Sequence, residues 1–181
     1  MNALPTAIAD VLVLEPTVFG DARGFLYESF NARRFRQLSG TSVEFVQDNH
    51  SRSARNVLRG LHYQIVQPQG KLVRVTAGAV FDVAVDLRAS SATFGRWVGF
   101  ELSAENRRQM WIPPGFAHGF LVTSDSAEVL YKTTDYWAPE HERAIQWDDA
   151  ALGIAWPLAG APALSDKDRR AGSLADAELF A

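Results

Sequence analysis

Histidine is the side chain whose reference pKa, ~6.5, suits proton transfer at neutral pH, and this sequence has four: His50, His62, His118 and His141. It has no cysteine, so disulfides, thiolate nucleophiles and thiolate-bound metals are excluded. His62 lies in Leu58-Arg59-Gly60-Leu61-His62-Tyr63-Gln64. A lone histidine among apolar residues is more often a packed core side chain than a catalyst. Here, however, Arg59, His62 and Gln64 share one short strand, and burying that many polar groups is costly unless they line a cavity. Strict alternation sends Arg59 and His62 to opposite faces. Gly60 between them is where a bulge would re-aim one of the two.

A second cluster runs Trp111-Ile112-Pro113-Pro114-Gly115-Phe116-Ala117-His118-Gly119-Phe120. Pro-x-Gly-x-x-His is the shape of the second cupin motif, in which a tight turn throws a histidine into a barrel mouth. Metal-binding cupins offer His-x-His and a following Glu from the first motif. This chain reads His62-Tyr63-Gln64, with no Glu in the next five residues. Two histidines alone fall short of the usual ligand count. No metal is expected, which leaves His62 free to act as a base.

The elements that must position these residues are mostly short strands between turns. They are expected at Val11–Leu14, Val43–Gln47, Val57–Ile65, Leu72–Thr76, Val80–Leu87, Trp97–Leu102, Gln109–Ile112, Gly119–Val122, Glu128–Thr134 and Ile145–Trp147. Phe19 to Gly24 reads as a turn. Ser29 to Leu38 reads as a helix with Phe30, Phe35 and Leu38 inward and Ser39-Gly40 as its stop. Ser165 to Ala181 reads as a tail with a short helix, packed over one end of the barrel. Many short strands with regular turns indicate a sandwich or barrel rather than a βαβ protein. The expected fold is mainly β, a cupin-type jelly-roll β-barrel with a few short peripheral helices. In Val80–Leu87, Phe81, Val83, Val85 and Leu87 share one face; Asp82, Ala84 and Asp86 share the other. The acidic face suits a polar barrel interior, and equally a solvated outer surface.

The 181 residues fit one domain, 1–181, and no long linker or solenoid repeat divides them. No basic start followed by an apolar run marks a signal peptide. The apolar runs are too short to span a bilayer. A cytoplasmic protein without membrane association is the expectation. A net charge of −3 argues against bulk nucleic-acid binding; an anionic ligand needs local Arg and Lys groups.

From near residue 5 almost to the C-terminus the chain resembles the dTDP-4-dehydrorhamnose 3,5-epimerase family, metal-free cupin enzymes of nucleotide-sugar biosynthesis. The matching stretches are Val18–Phe25, Phe45–Ser51, Val57–Gln64, Gly70–Arg74, Phe81–Asp86, Trp111–Phe120, Tyr131-Lys132 and Leu164–Asp168. The resemblance implies a dTDP-linked 4-keto-6-deoxy sugar as substrate and no cofactor. It implies His62 as proton acceptor, Asp168 orienting its ring and stabilising the imidazolium, and Tyr131 as proton donor on the opposite face. Spacing alone favours a core-packing role for Tyr131. The resemblance further implies Arg23, Glu28, Gln47, Asn49, Lys71, Glu142 and Lys167 around the diphosphate and deoxyribose. Arg59 and His118 would lie nearer the sugar, Trp137 at the thymine-stacking position, and Asp82 would face the cavity in support of the residues that touch the ligand. Read singly, Arg23, Glu28 and Glu142 are solvated surface charges. Family members are homodimers with an exchanged N-terminal strand, a role Val11–Leu14 fits, with Arg23 and Glu28 reaching the neighbour's site.

The protons beside the 4-keto group are far less acidic than imidazolium, and each pKa unit of mismatch costs about 1.36 kcal/mol. The enolate oxygen therefore needs stabilisation in a water-poor cavity, for which Lys71 and Arg59 are the available cations. The competing readings are a single-site 3- or 5-epimerase on a related sugar, a ketoisomerase of the same group, a non-catalytic sugar-binding cupin, and a metal-dependent cupin.

Overall fold

Runs rich in Val, Leu, Phe and Trp, interrupted by Gly and Pro, pair almost entirely with antiparallel neighbours in a computed structural model describing residues 1–181. In chain order the strands are β1 (Asn2–Pro5), β2 (Leu12–Glu15), β3 (Val18–Asp21), β4 (Gly24–Tyr27), β5 (Gln47–Ala54), β6 (Leu58–Gln64), β7 (Lys71–Ala77), β8 (Ala79–Asp86), β9 (Trp97–Ser103), β10 (Gln109–Ile112), β11 (Phe116–Val122), β12 (Ser126–Thr133) and β13 (Glu142–Ala144). Helices α1 (Ala32–Ser39) and α2 (Asp166–Arg169) lie outside them. One sheet has the order β1-β2-β10-β7-β12-β5 and the other β13-β6-β11-β8-β9. This is a cupin-type jelly roll whose two sheets face each other without closing into one.

The inward faces pack Val73, Val75, Met110, Ile112, Ala127 and Val129 of the first sheet against Val80, Ala84, Val98, Leu102, Phe116, Phe120 and Val122 of the second. Several of these faces turn polar along the strand. Lys71 continues the face of Val73 and Val75, and Tyr131 and Thr133 continue that of Ala127 and Val129. One end of the interior is a core and the other a cavity. In β8 the face of Asp82, Ala84 and Asp86 is the interior one: both aspartates are fully buried. The opposite face is buried as well, because Val83, Val85 and Leu87 are covered by Trp156, Leu174, Leu179 and Phe180 from the C-terminal segment. A solvated face is therefore excluded for this strand.

Several boundaries differ from the expected ones. Residues 43–46 are not a strand; the strand is β5, Gln47–Ala54, which pairs with all of β12. Its polar sequence, Gln-Asp-Asn-His-Ser-Arg-Ser-Ala, carries no apolar alternation because its inward side chains face the cavity rather than the core. Helix α1 starts at Ala32, three residues after Ser29, because the Asn31 side chain caps the Arg34 N–H at 3.0 Å. Its Phe35 meets Trp111 edge-on with centroids 5.1 Å apart. β11 begins at Phe116, so His118 sits within a strand and not in the turn before it. The last strand is Glu142–Ala144; Ile145, just past it, exchanges backbone hydrogen bonds with Leu61 and bridges to Gly172. The Phe19–Gly24 segment is the tip of the β3–β4 hairpin. The strand expected at Val11–Leu14, here β2, pairs with β1 on one edge and β10 on the other. It is thus not free to join a neighbour's sheet. No helix is long and apolar enough to cross a membrane.

Candidate active site

Between the polar ends of the two sheets opens a cavity of about 370 Å³. Strand β6 delivers two of its central residues through a bulge. His62 stands opposite His118, and Arg59 opposite Phe120, so β6 spends one residue more than β11 over the same span. The extra residue cancels the alternation, and both Arg59 and His62 line the cavity. Gly60 makes the bulge feasible. Its φ is +125°, and a Cβ there would lie 2.5 Å from Gly119 Cα and 2.8 Å from the His118 carbonyl oxygen. Gly119 answers the same need, since its Cβ would lie 2.8 Å from the Arg59 carbonyl oxygen.

His62 Nε2 meets Asp168 Oδ1 at 2.5 Å. Asp168 arrives from the C-terminal tail, which returns to the cavity on α2. Ser165 fixes that short helix: its hydroxyl accepts from the Asp168 N–H at 3.1 Å and donates to Asp168 Oδ2 at 2.6 Å. Both carboxylate oxygens are thereby engaged. Burial opposes the charge on Asp168, but the hydrogen bonds from His62 and Ser165 outweigh it and hold the carboxyl at about 2. An ionised carboxylate only accepts, so Nε2 carries the hydrogen and Nδ1 is the basic atom. Nδ1 has no partner in the chain and is not among the sealed unpaired atoms. Burial, helped by the positive charges of Lys167 and Lys71, lowers the His62 pKa against the pull of Asp168. The ring is neutral at neutral pH and competent to accept a proton.

Tyr131 faces the same cavity from β12, on the opposite sheet. Burial raises its pKa, with Glu142 reinforcing and Arg59 opposing, so its hydroxyl keeps its proton. Lys71 is buried on β7, and its ammonium reaches only the His62 carbonyl, at 3.4 Å. Burial lowers its pKa to about 8, while Glu142 and Asp82 favour the charged form. Lys167 pairs with Glu142 at 2.8 Å, Arg59 Nε donates to Ser53 Oγ at 3.0 Å, and His118 Nε2 meets Asp82 Oδ1 at 2.8 Å. Gln47, Asn49 and Trp137 complete the expected lining. Trp137 is 59% exposed at the rim. Its backbone N–H donates to Gln47 Oε1 at 3.1 Å, while Gln64 accepts from the Ala138 backbone N–H at 2.9 Å and donates to the Tyr136 carbonyl at 3.2 Å. Two glutamines thus hold the backbone that carries the indole at the mouth of a cavity rich in cations. Nowhere do three His, Cys, Asp or Glu side chains gather as a metal site.

The dTDP-4-dehydrorhamnose 3,5-epimerase family model matches residues 5–176. The chain belongs to that family. It is 67% identical to the dTDP-4-dehydrorhamnose 3,5-epimerase of Pseudomonas aeruginosa, over 99% of each chain. The dTDP-6-deoxy-D-glucose-3,5-epimerase of Legionella pneumophila, solved in complex with dTDP-4-keto-L-rhamnose, superposes with a TM-score of 0.96 at 55% identity. That match covers 98% of this chain and 94% of the other. A 3'-monoepimerase from Streptomyces bikiniensis, solved with dTDP-quinovose, superposes at 0.89 with 37% identity, over 97% and 88% of the two chains. By family this chain is an isomerase.

In this family member two of the expected site residues lie apart from the cavity. Arg23 sits at the tip of the β3–β4 hairpin, paired with Asp21 over a separate cleft. Glu28 accepts from Asn31 Nδ2 at 3.0 Å. Conversely, the cavity is also lined by Ser51, Tyr63, Gln69 and Phe120, to which the sequence assigned no site role, and by Gln64, read there only as one of three polar groups that a cavity would explain. Gln64 had a signal in its place beside His62 in a buried strand. Ser165 had one too, as the first residue of a Ser-x-x-Asp capping pattern. Ser51 and Gln69 had none.

Proposed function

We propose that the protein is a dTDP-4-dehydrorhamnose 3,5-epimerase. It converts dTDP-4-dehydro-6-deoxy-D-glucose to dTDP-4-dehydro-L-rhamnose, with residues 1–181 acting as one unit and no metal or cofactor. The observation that carries this reading is a base and an acid on opposing sheets: the His62–Asp168 pair on one side of the cavity and Tyr131 on the other. Inverting a carbon next to a ketone requires removing a proton from one face and returning one to the other.

His62 Nδ1 takes the proton from carbon 3 or carbon 5, and the C–H electron pair moves to the keto oxygen as an enolate. Arg59 and the Lys71 ammonium stabilise that oxygen in a site with little water. Asp168 stabilises the imidazolium. The enolate collapses as Tyr131 delivers its hydroxyl proton to the opposite face. The imidazolium and tyrosinate reset by exchange with solvent. Lys167, Gln47 and Asn49 serve the nucleotide portion, and Trp137 stacks on thymine.

Homodimerisation completes the reading. Because β2 is paired on both edges, the exchanged arm is the β3–β4 hairpin, which pairs with neither main sheet and exposes Val18, Phe19, Phe25 and Leu26. It would carry Arg23, with Glu28 just beyond it, to the partner's cavity, where guanidinium suits phosphate.

A single-site epimerase is the second reading, since a 3'-monoepimerase shares the fold. Higher identity to the 3,5-epimerases favours double inversion. Incubation with dTDP-4-dehydro-6-deoxy-D-glucose in deuterated water decides between them. Deuterium is expected at carbons 3 and 5; label at only one would reject the double epimerase, and no label would reject epimerisation.

A further inference from the structure

Asp82 is fully buried in β8, yet one of its carboxylate oxygens, Oδ2, has no hydrogen-bond partner in the chain. A half-paired carboxylate sealed from solvent costs stability relative to a neutral side chain of the same shape. Asp86, equally buried two residues on, has no such deficit. Arg88, Ser91 and Thr93 saturate its oxygens and close a turn. Asp82 closes no turn. Its one partner is His118, which lines the cavity, and its charge favours the ammonium of Lys71, which lines it too.

His118 and His62 are directly opposed across β11 and β6, so the cavity holds two His–Asp pairs side by side, each engaged through Nε2. An ionised Asp82 can only accept, which puts the hydrogen of a neutral His118 on Nε2 and its lone pair on Nδ1. That Nδ1 has no partner in the chain and is not sealed. Arg59, Lys71 and Lys167 can only donate, whereas a sugar hydroxyl also needs something to accept its hydrogen.

We propose that Asp82 is a positioning residue that fixes His118 with Nε2 protonated, so that Nδ1 accepts a hydrogen bond from a hydroxyl group of the sugar. This rests on the sugar-nucleotide reading above. It explains why a group that weakens the folded state occupies the interior: the cost supports the ligand site.

Asp82→Asn tests it, because the amide keeps the shape, loses the charge and can donate to the imidazole. The melting temperature should stay within about 3 °C of the unmodified protein or rise. The kcat/KM should fall about 10-fold or more. In ligand-free protein, nitrogen–proton NMR should show His118 leaving the pure Nε2–H tautomer. His118→Asn places an amide near the former Nδ1 and leaves Asp82 nothing to orient. Adding Asp82→Asn to that variant should change kcat/KM less than about 2-fold, the signature of residues acting as a unit. The proposal is overturned if Asp82→Asn keeps full activity, or keeps the Nε2–H tautomer, or if the two losses multiply. It is also overturned if Asp82→Asn and Asp82→Ser both fail to fold, which would make the carboxylate structural. The NMR result needs no substrate, so it stands even where the unmodified enzyme exchanges no proton with the dTDP-sugar.

Discussion

His62 and Lys71 need opposite protonation states, and the cavity moves both pKa values downward. The base must be neutral, which holds above its pKa, and burial lowers that pKa from 6.5. The cation must stay charged, which holds below its own pKa of about 8. A bell-shaped pH profile of kcat/KM follows, with the acid limb below pH 6.5 and the alkaline limb near 8. An alkaline limb that stays flat beyond pH 9 would remove Lys71 from the role of required cation. His62→Ala should lower kcat by about 10²–10⁴-fold with near-ultraviolet circular dichroism unchanged, since Asp168 keeps both bonds to Ser165. At this scale the sequence was legible in part. His62 could be read as a base once the metal ligands were missing, but Asp168 stands 106 residues away. Nothing local in either residue announces the other.

Among the elements, β6 depends most on a single residue. Gly60→Ala would put a methyl group against Gly119 Cα and the His118 carbonyl at a φ of +125°. We expect it to cost more than about 1 kcal/mol in denaturant unfolding. Activity should fall further than stability does, because the bulge sets the facing of Arg59 and His62 together. Gly60→Ala with full activity would show that the bulge tolerates a side chain. The bulge was legible as a glycine between two polar residues that alternation would separate. Strand β5 was not. Apolar periodicity detects strands that face a core, and Gln47, Asn49 and Ser51 face a cavity. Site-lining strands are where such patterns fail for a physical reason: ligand contact selects polar side chains at the inward positions.

For the whole molecule, the β3–β4 hairpin and the C-terminal tail take opposite courses. The tail is tied down: Phe180 exchanges backbone hydrogen bonds with Leu87 and Ala89, and the Tyr63 hydroxyl donates to the Glu178 carbonyl at 2.8 Å. The hairpin pairs with neither main sheet. If it serves a partner's cavity, Arg23→Ala and His62→Ala are each inactive alone but complementary when mixed. A heterodimer then holds one intact site, made of His62 from one chain and Arg23 from the other. Unfolding and refolding the two variants together should restore about a quarter of normal activity, from the statistics of two-fold pairing. No recovery in dimers of confirmed mixed composition would place Arg23 in its own subunit's site, or in none.

The sequence by itself determined the class of fold, through strand periodicity and turn residues. It also determined the exclusion of thiolate chemistry and, through its resemblance, the family and most of the cavity lining. Those are properties of local pattern and residue type. The resemblance also implied that Asp168 serves His62 and that Tyr131 stands opposite; the tertiary structure supplied the contact and the facing, and it alone decided the removal of Arg23 from its own chain's cavity and the half-paired burial of Asp82. Each of these depends on contacts between residues distant in the chain, and burial, pairing and pKa arise only when those residues are brought together.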